Sequence, residues 1–215
     1  MADPAVIADD LAELARVAHV DRYALLGGEP LLHPELVEIM RIAKQSGICD
    51  RVEIITNGIA LDKMSAAFWE AVDYLTMSIY PNTPAENVEL AKRKAGEHGF
   101  TLERKTVEFT YPLTKDRMGA ASRYVRCWYR IYTHVIDNGY FYKCCMSPFI
   151  PELFLSMRKE TDGIKVKGIT EKRLMRFLNS LDAWSSCAVC AGHGAPKMDC
   201  EQVSEPAEWI KRSTC

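Results

Sequence analysis

A chain of 215 residues is long enough for one large domain or two small ones with a buried core. Hydrophobic residues at 48% and charged ones at 26% mark an ordered globular protein, and a formal net charge of −2 gives no footprint for nucleic acid or an anionic membrane. No apolar run is long enough to span a bilayer, and the start MADPAVIADD has neither a basic nor an apolar leader region, so a cytoplasmic location is expected.

The first half alternates helix and strand patterns. Asp3 offers an N-cap and Pro4 the first helical position, after which Val6, Ile7, Leu11, Leu14 and Ala18 form one apolar stripe. A strand over Tyr23–Leu26 follows. His33-Pro34 opens a second helix, with Leu36, Val37, Met40 and Ala43 on one face and Gly47 as its stop. The run VEII reads as the next strand and ends in Thr56-Asn57-Gly58. A third helix, about 61–71, leads to the strand YLTMSIY. Thr83-Pro84 starts a fourth helix that ends near His98-Gly99, and TLERK reads as a short strand beyond it. VEFT, residues 107–110, is a further candidate strand. Such alternation with short connections implies an α/β fold with a parallel sheet covered by helices. In these folds ligands gather at the carboxyl ends of the strands. Three successive strand ends here carry unusual loops: GGEP, TNG and SIYPNTP.

From about Pro112 the pattern changes. PLTKDRMGAASRYVR is charged and turn-rich, a linker or bridging helix over residues 113–126. YTHVIDNGYFYKC reads as a hairpin around Asp137-Asn138-Gly139. The aromatic residues Trp128, Tyr129, Tyr132, Tyr140, Phe141 and Tyr142 alternate through the hairpin; core packing accounts for most of them, and a substrate platform is the alternative. Helical segments are expected over about 148–159 and 170–181, and CAVCAGHGAPKMDC reads as loop. Every cysteine except Cys49 lies at or beyond Cys127. Without a secretory leader, cysteines in this number point to metal or redox chemistry before disulfides.

Gly27 and Gly28 lack Cβ atoms, so a ligand could approach their backbone closely and positive φ is open to them. Glu29 follows at the strand end with a carboxylate expected to face a pocket and bind an ammonium group, and Pro30 stiffens the exit. An ordinary strand-to-helix turn that needs two glycines is the plain alternative. The loops GGEP, TNG and SIY, in that order, resemble those of the radical S-adenosylmethionine enzymes. The resemblance implies that Gly27, Gly28, Glu29 and Pro30 bind the methionine amino group of the cofactor. It also implies that Asn57, Ser78 and Arg104 belong to the same rim. Ser78 as a turn cap and Arg104 as a solvated strand residue are the structural alternatives.

The resemblance extends to the second half. Cys127, eleven residues, Gly139, four residues, Cys144 is similar to the opening of the SPASM or shorter twitch auxiliary-cluster domains, and the pair Cys187-x-x-Cys190 follows. The fold implied is a partial (β/α) barrel of parallel strands missing its first strand over 1–112, joined by 113–126 to a cysteine-rich α+β twitch-like domain over 127–215. Four thiolates suit a [4Fe–4S] cluster or zinc equally well on geometry, and the resemblance favours the cluster. Cys145 is an alternative to Cys144, and Cys200 could replace a ligand. Cys49 reads as a small buried hydrophobe, Cys215 as a free terminal thiol, and His193 as a loop histidine close enough to Cys190 to be a spare ligand.

In one respect the chain departs from this family. The three-cysteine motif Cys-x3-Cys-x2-Cys, which the family carries after its first strand, does not occur in these 215 residues. The expectation is a truncated or degenerate relative that does not make the 5′-deoxyadenosyl radical by itself and holds S-adenosylmethionine weakly or not at all. The parent activity implied is radical modification of a substrate, whether a peptide, a sugar-related compound or another small molecule, with an electron donor as partner. A non-catalytic binding module with iron–sulfur or zinc as a structural staple is the reading of a different class.

Overall fold

The computed structural model describes residues 1–106, 109–110, 113, 119–151, 158–193, 195 and 197–198. The chain divides into two units, Met1–Val107 and Glu108–Cys215. The first is an α/β unit. Helix α1 (Pro4–Ala15) has Asp3 as N-cap, its Oδ1 accepting from Ala5 N at 2.8 Å, and Pro4 in the first turn. Strand β1 (Val20–Leu25), helix α2 (Leu36–Gln45), strand β2 (Cys49–Thr56), helix α3 (Ala66–Ala71), strand β3 (Tyr74–Ile79), helix α4 (Ala85–His98) and strand β4 (Thr101–Thr106) follow. The four strands pair in parallel in the order β1-β2-β3-β4. Parallel strands in sequential order, with crossovers that are as a rule right-handed, place the connecting helices on one face of the sheet.

The two faces differ in chemistry because side chains alternate along each strand. In register, Tyr23, Val52, Ile54, Leu75 and Met77 belong to one face. There Val52, Ile54, Leu75 and Met77 are fully buried, with Leu36, Ile39, Met40 and Ala43 of α2 and Phe68 and Trp69 of α3. Each such side chain contributes about 1.5–3 kcal/mol by leaving water. The other face is polar. Thr76 Oγ1 donates to Glu53 Oε1 at 2.6 Å, and Arg22 Nη1 stands 3.5 Å from Glu53 Oε2. The Arg22 guanidinium also lies 4.4 Å from the centre of the Tyr74 ring, and Tyr74 OH donates to Glu103 at 3.1 Å.

Several boundaries differ from the sequence reading. β1 starts at Val20, three residues before the apolar run, because Arg22 finds Glu53 and Tyr74 on the polar face. The third helix is shorter than expected: a 3-10 turn, Leu61–Lys63, comes first, and Ser65 then caps α3 through Phe68 N. Gly99, at φ +79°, ends α4 as a left-handed cap.

The second unit holds helices α5 (Ala120–Arg126) and α6 (Tyr129–Tyr132), a sheet of β6 (Val135–Asp137), β7 (Tyr140–Tyr142) and β8 (Gly163–Lys165), and helix α7 (Glu171–Asn179). Strand β5 (Phe109–Thr110) pairs antiparallel with β9 (Lys197–Met198). The hairpin β6-β7 turns on Asn138 (φ +47°) and Gly139 (φ +80°), two left-handed residues as a tight two-residue turn requires. The charged stretch expected as a linker contributes α5 to this unit, and Tyr124 of α5 is buried. Residues 107–108 of VEFT, 152–157 of the helix expected over 148–159, and Cys200 and Cys215 lie outside the described residues. Phe141, Phe177, Trp184 and Tyr124 form a chain of ring contacts with centroids 6.2, 5.8 and 5.2 Å apart. Trp128, Tyr129 and Tyr132 belong to α6 and its cap, not to the hairpin, and Tyr132 is mostly exposed.

Candidate functional site

The rim at the carboxyl ends of β1, β2 and β3 is built around Glu29. Gly27 (φ +106°) and Gly28 (φ +52°) follow β1, and both are exposed. A Cβ at either would meet no atom within 4 Å, so they are glycines for their backbone angles and leave open space above the chain. Pro30, which is buried, opens a 3-10 turn, Pro30–Leu32, capped by Glu29. The carboxylate of Glu29 does not stand free in a pocket. Its Oε1 accepts from Leu31 N at 3.0 Å and from Thr56 Oγ1 at 2.6 Å, and its Oε2 accepts from Asn57 N at 2.9 Å. It therefore ties the ends of two neighbouring strands together.

Asn57 is held in turn. Its Oδ1 accepts from Ile59 N, and its carbonyl accepts from Thr83 Oγ1. Asn87, buried on α4, donates to the carbonyls of Gly58 at 2.9 Å and Ile59 at 3.0 Å. Ser78 pairs in register with Lys105 and belongs to the polar face with Thr76. Arg104 pairs with Met77, which places it on the opposite face from Ser78, and it is exposed. Glu29 and Asn57 thus form one rim with Ser78 close to the end of the adjacent strand, and Arg104 is not brought to the same face.

The second unit gathers its cysteines. Cys127, Cys144, Cys187 and Cys190 line one cavity of about 30 Å³, partly open to solvent. They arrive from three places. Cys127 caps the C-terminus of α5, its N–H bonded to Tyr124 O. Cys144 follows β7. Cys187 stands in a 3-10 turn, Ser186–Ala188, and Cys190 bridges backbone-to-backbone with Leu113. Helix α6 lies in the chain between Cys127 and the hairpin that leads to Cys144. The Cys190 loop comes close to Cys127: a Cβ built on Gly192 would stand 4.0 Å from Cys127 Sγ.

Two of these sulfurs accept backbone N–H groups: Cys144 Sγ from Met146 N at 3.4 Å, and Cys190 Sγ from Gly192 N at 3.3 Å. Such bonds support a thiolate. As free thiols, Cys144, Cys187 and Cys190 resist ionising. Burial pushes Cys187 up to about 11 and also raises Cys190. A hydrogen bond with Cys145, and then burial, raises Cys144. A cationic centre in the cavity would reverse that balance, because a metal draws buried thiols into thiolates. Cys145, whose N–H bonds Thr133 Oγ1, is adjacent, so both it and Cys144 remain at hand. Cys49 is buried against Ala43 O in the first unit and belongs to packing.

The sequence reading passed over four residues here. Asp162 is buried, and its two oxygens accept from Ser185 N at 2.9 Å and Ser186 N at 2.8 Å, which fixes the turn that carries Cys187. Arg123 lines the cavity and donates to Cys187 O at 3.2 Å. Arg130 lines it too, and Lys143 stands beside Cys144. The signal was the basic residues set into RYVRCWYR and YFYKC, apolar surroundings where charge has to be accounted for. His193 makes edge contacts with the rings of Trp128 and Tyr129, at 6.0 and 6.5 Å. Among the described residues no three His, Cys, Asp or Glu side chains converge tightly enough to hold one metal ion, and no helix is long and apolar enough to cross a membrane.

Part of the chain is similar to proteins named GTP 3′,8-cyclase. The protein from Chlorobaculum tepidum is 44% identical over 61 residues, 28% of this chain and 18% of that protein. The one from Aquifex aeolicus is 40% identical over 76 residues, 34% and 23% of the two chains. The one from Microcystis aeruginosa is 49% identical over 51 residues, 23% and 15%. The matched stretches span less than a quarter of each relative's own length. These matches are local, and they support the resemblance to the radical S-adenosylmethionine enzymes that the loops of the first unit carry. No protein-family model matches the sequence.

Proposed function

We propose that the second unit holds an auxiliary [4Fe–4S] cluster on Cys127, Cys144, Cys187 and Cys190, and that the chain is a relative of the radical S-adenosylmethionine enzymes. One observation carries the reading: four cysteines from three separated segments line one cavity. Among the described residues no three candidate ligands converge on one point. Zinc requires its thiolates at about 2.3 Å from one point, whereas an iron–sulfur core occupies the space between its ligands. The N–H groups of Met146 and Gly192 would then bond to ligand sulfurs, and Asp162 would hold the turn of Cys187 in place.

In the first unit the rim of Gly27, Gly28, Asn57 and Ser78 is the proposed place of S-adenosylmethionine. Glu29 would shape that rim and the bare glycine backbone would meet the ligand. The parent activity is radical modification of a substrate. The 215 residues contain no Cys-x3-Cys-x2-Cys motif, so this polypeptide, reduced and supplied with S-adenosylmethionine, is expected to release no 5′-deoxyadenosine above background.

The test is anaerobic reconstitution with iron and sulfide. The expected product is brown, with about four irons per chain. Serine at Cys127, Cys144, Cys187 or Cys190 should lower the iron content, and Cys49→Ser should not. A colourless protein with one zinc keeps the quartet and turns the site into a structural staple. A folded chain that takes up neither metal overturns the site.

A further inference from the structure

We infer that Lys143, together with Arg130, balances the negative charge of whatever the four cysteines hold and sets its reduction potential; this rests on reading that group as a [4Fe–4S] cluster. Lys143 is 2% exposed. Its Nζ donates to Ser180 O at 2.7 Å and Tyr124 OH at 3.1 Å. It stands 5.7 Å from the centre of the Tyr124 ring and 5.8 Å from that of Trp184. Among the described residues it makes no ion pair with a carboxylate. Its charged neighbour has the same sign: the Arg130 guanidinium lies 5.2 Å from the centre of the same Tyr124 ring. Arg130 bonds the carbonyls of Tyr124 and Val125, at 2.9 and 3.0 Å.

Two cations gathered around one buried ring are unfavourable unless an anion lies close, because a buried charge without a counter-charge costs several kcal/mol. Tyr124, Trp184 and Arg130 all line the cysteine cavity, and Lys143 directly precedes Cys144. A [4Fe–4S] core on four thiolates carries a net negative charge of about two, and reduction adds another. The cations therefore stabilise the reduced form more than the oxidised one and raise the potential. A merely structural role is the competing account, since Ser180 is the C-cap of α7 and Lys143 bonds its carbonyl. That role would move melting and leave the potential alone.

The experiment uses the full chain, reconstituted anaerobically, with iron content and a spectroelectrochemical titration as readouts. Lys143→Met should keep about four irons per chain and bind the added electron about tenfold less tightly, a fall of about 59 mV for a one-electron couple. Lys143→Arg, which keeps the charge, should titrate with the wild type. Arg130→Gln should shift the same way as Lys143→Met, and carries the test where the buried methionine disrupts folding. Unchanged potentials in iron-replete Lys143→Met and Arg130→Gln would overturn the inference and leave the cluster standing. A wild-type chain that takes up no iron, or zinc alone, would overturn the cluster reading and the inference with it.

Discussion

Two acidic residues show how a carboxylate is used here. Glu29 accepts from Leu31 N, Thr56 Oγ1 and Asn57 N, and Asp162 accepts from Ser185 N and Ser186 N. In both cases the charge holds a backbone turn next to a proposed binding site, so deletion should act first on stability. Glu29→Ala leaves donors of the β1 and β2 ends without a partner, at a cost of about 1–3 kcal/mol. Urea denaturation should show the midpoint fall, and Glu29→Gln should recover part of it by keeping an acceptor. An unchanged midpoint in Glu29→Ala would return the carboxylate to the role of a free ligand. Asp162→Ala should cost a similar amount and also lower iron uptake, because the turn of Cys187 loses its two bonds to the carboxylate. The sequence made Glu29 conspicuous because it follows two glycines, but it could not show that three donors of the fold bond to it. Thr56 and Asn57 lie 27 and 28 residues away, and only the parallel pairing of β1 with β2 brings them alongside. Asp162 gave no local signal at all.

The elements were most legible where a local rule suffices. Asp3-Pro4, Gly99 and Asn138-Gly139 each mark a boundary by their own backbone chemistry, and each stands where the sequence put it. Elements that depend on distant partners were not legible. β8 is three residues long and exists because it pairs with β7, and α6 falls within a run that alternates aromatic residues as a strand would. Two glycines test this difference. Gly96, inside α4, has nothing within 4 Å of an added Cβ, so Gly96→Ala should stabilise by about 0.5–1 kcal/mol through helix propensity. Gly163 opens β8 beneath Tyr142, whose ring would lie 2.7 Å from the new Cβ. Tyr142 is fully buried, so Gly163→Ala should destabilise by about 1–3 kcal/mol through overpacking. Thermal melts of the two variants should move in opposite directions. A neutral Gly163→Ala would mean that the Tyr142 ring can yield, and the packing account of that glycine would fail.

Over the whole molecule, each unit has its own hydrogen-bonded framework, and the framework predicts where a metal acts. The first unit has four parallel strands and a helix layer whose core, from Leu11 to Ala91, contains no cavity cysteine. The second relies on short strands of two or three residues and on helices of nine residues or fewer among the described ones. Strands so short bury little and make few ladder bonds, so that unit depends more on what joins its segments. The cavity links α5, the chain after β7 and the Cys187–Cys190 loop, which are separated by up to 63 residues from Cys127 to Cys190. A centre bound to all four sulfurs would close that loop in the folded state, and its binding free energy would be folding free energy for this unit. Hydrogen exchange on the full chain, with and without reconstitution, is the direct measurement. Peptides covering α5, β6, β7 and residues 184–193 should gain protection on loading, by at least tenfold in exchange rate if the centre contributes about 1.4 kcal/mol or more there. Peptides from β2 and β3, including buried Ile54 and Leu75, should exchange alike in both states. Equal protection gains in both units would mean that the two fold as one cooperative body, and no gain in either would leave the four cysteines without a structural role.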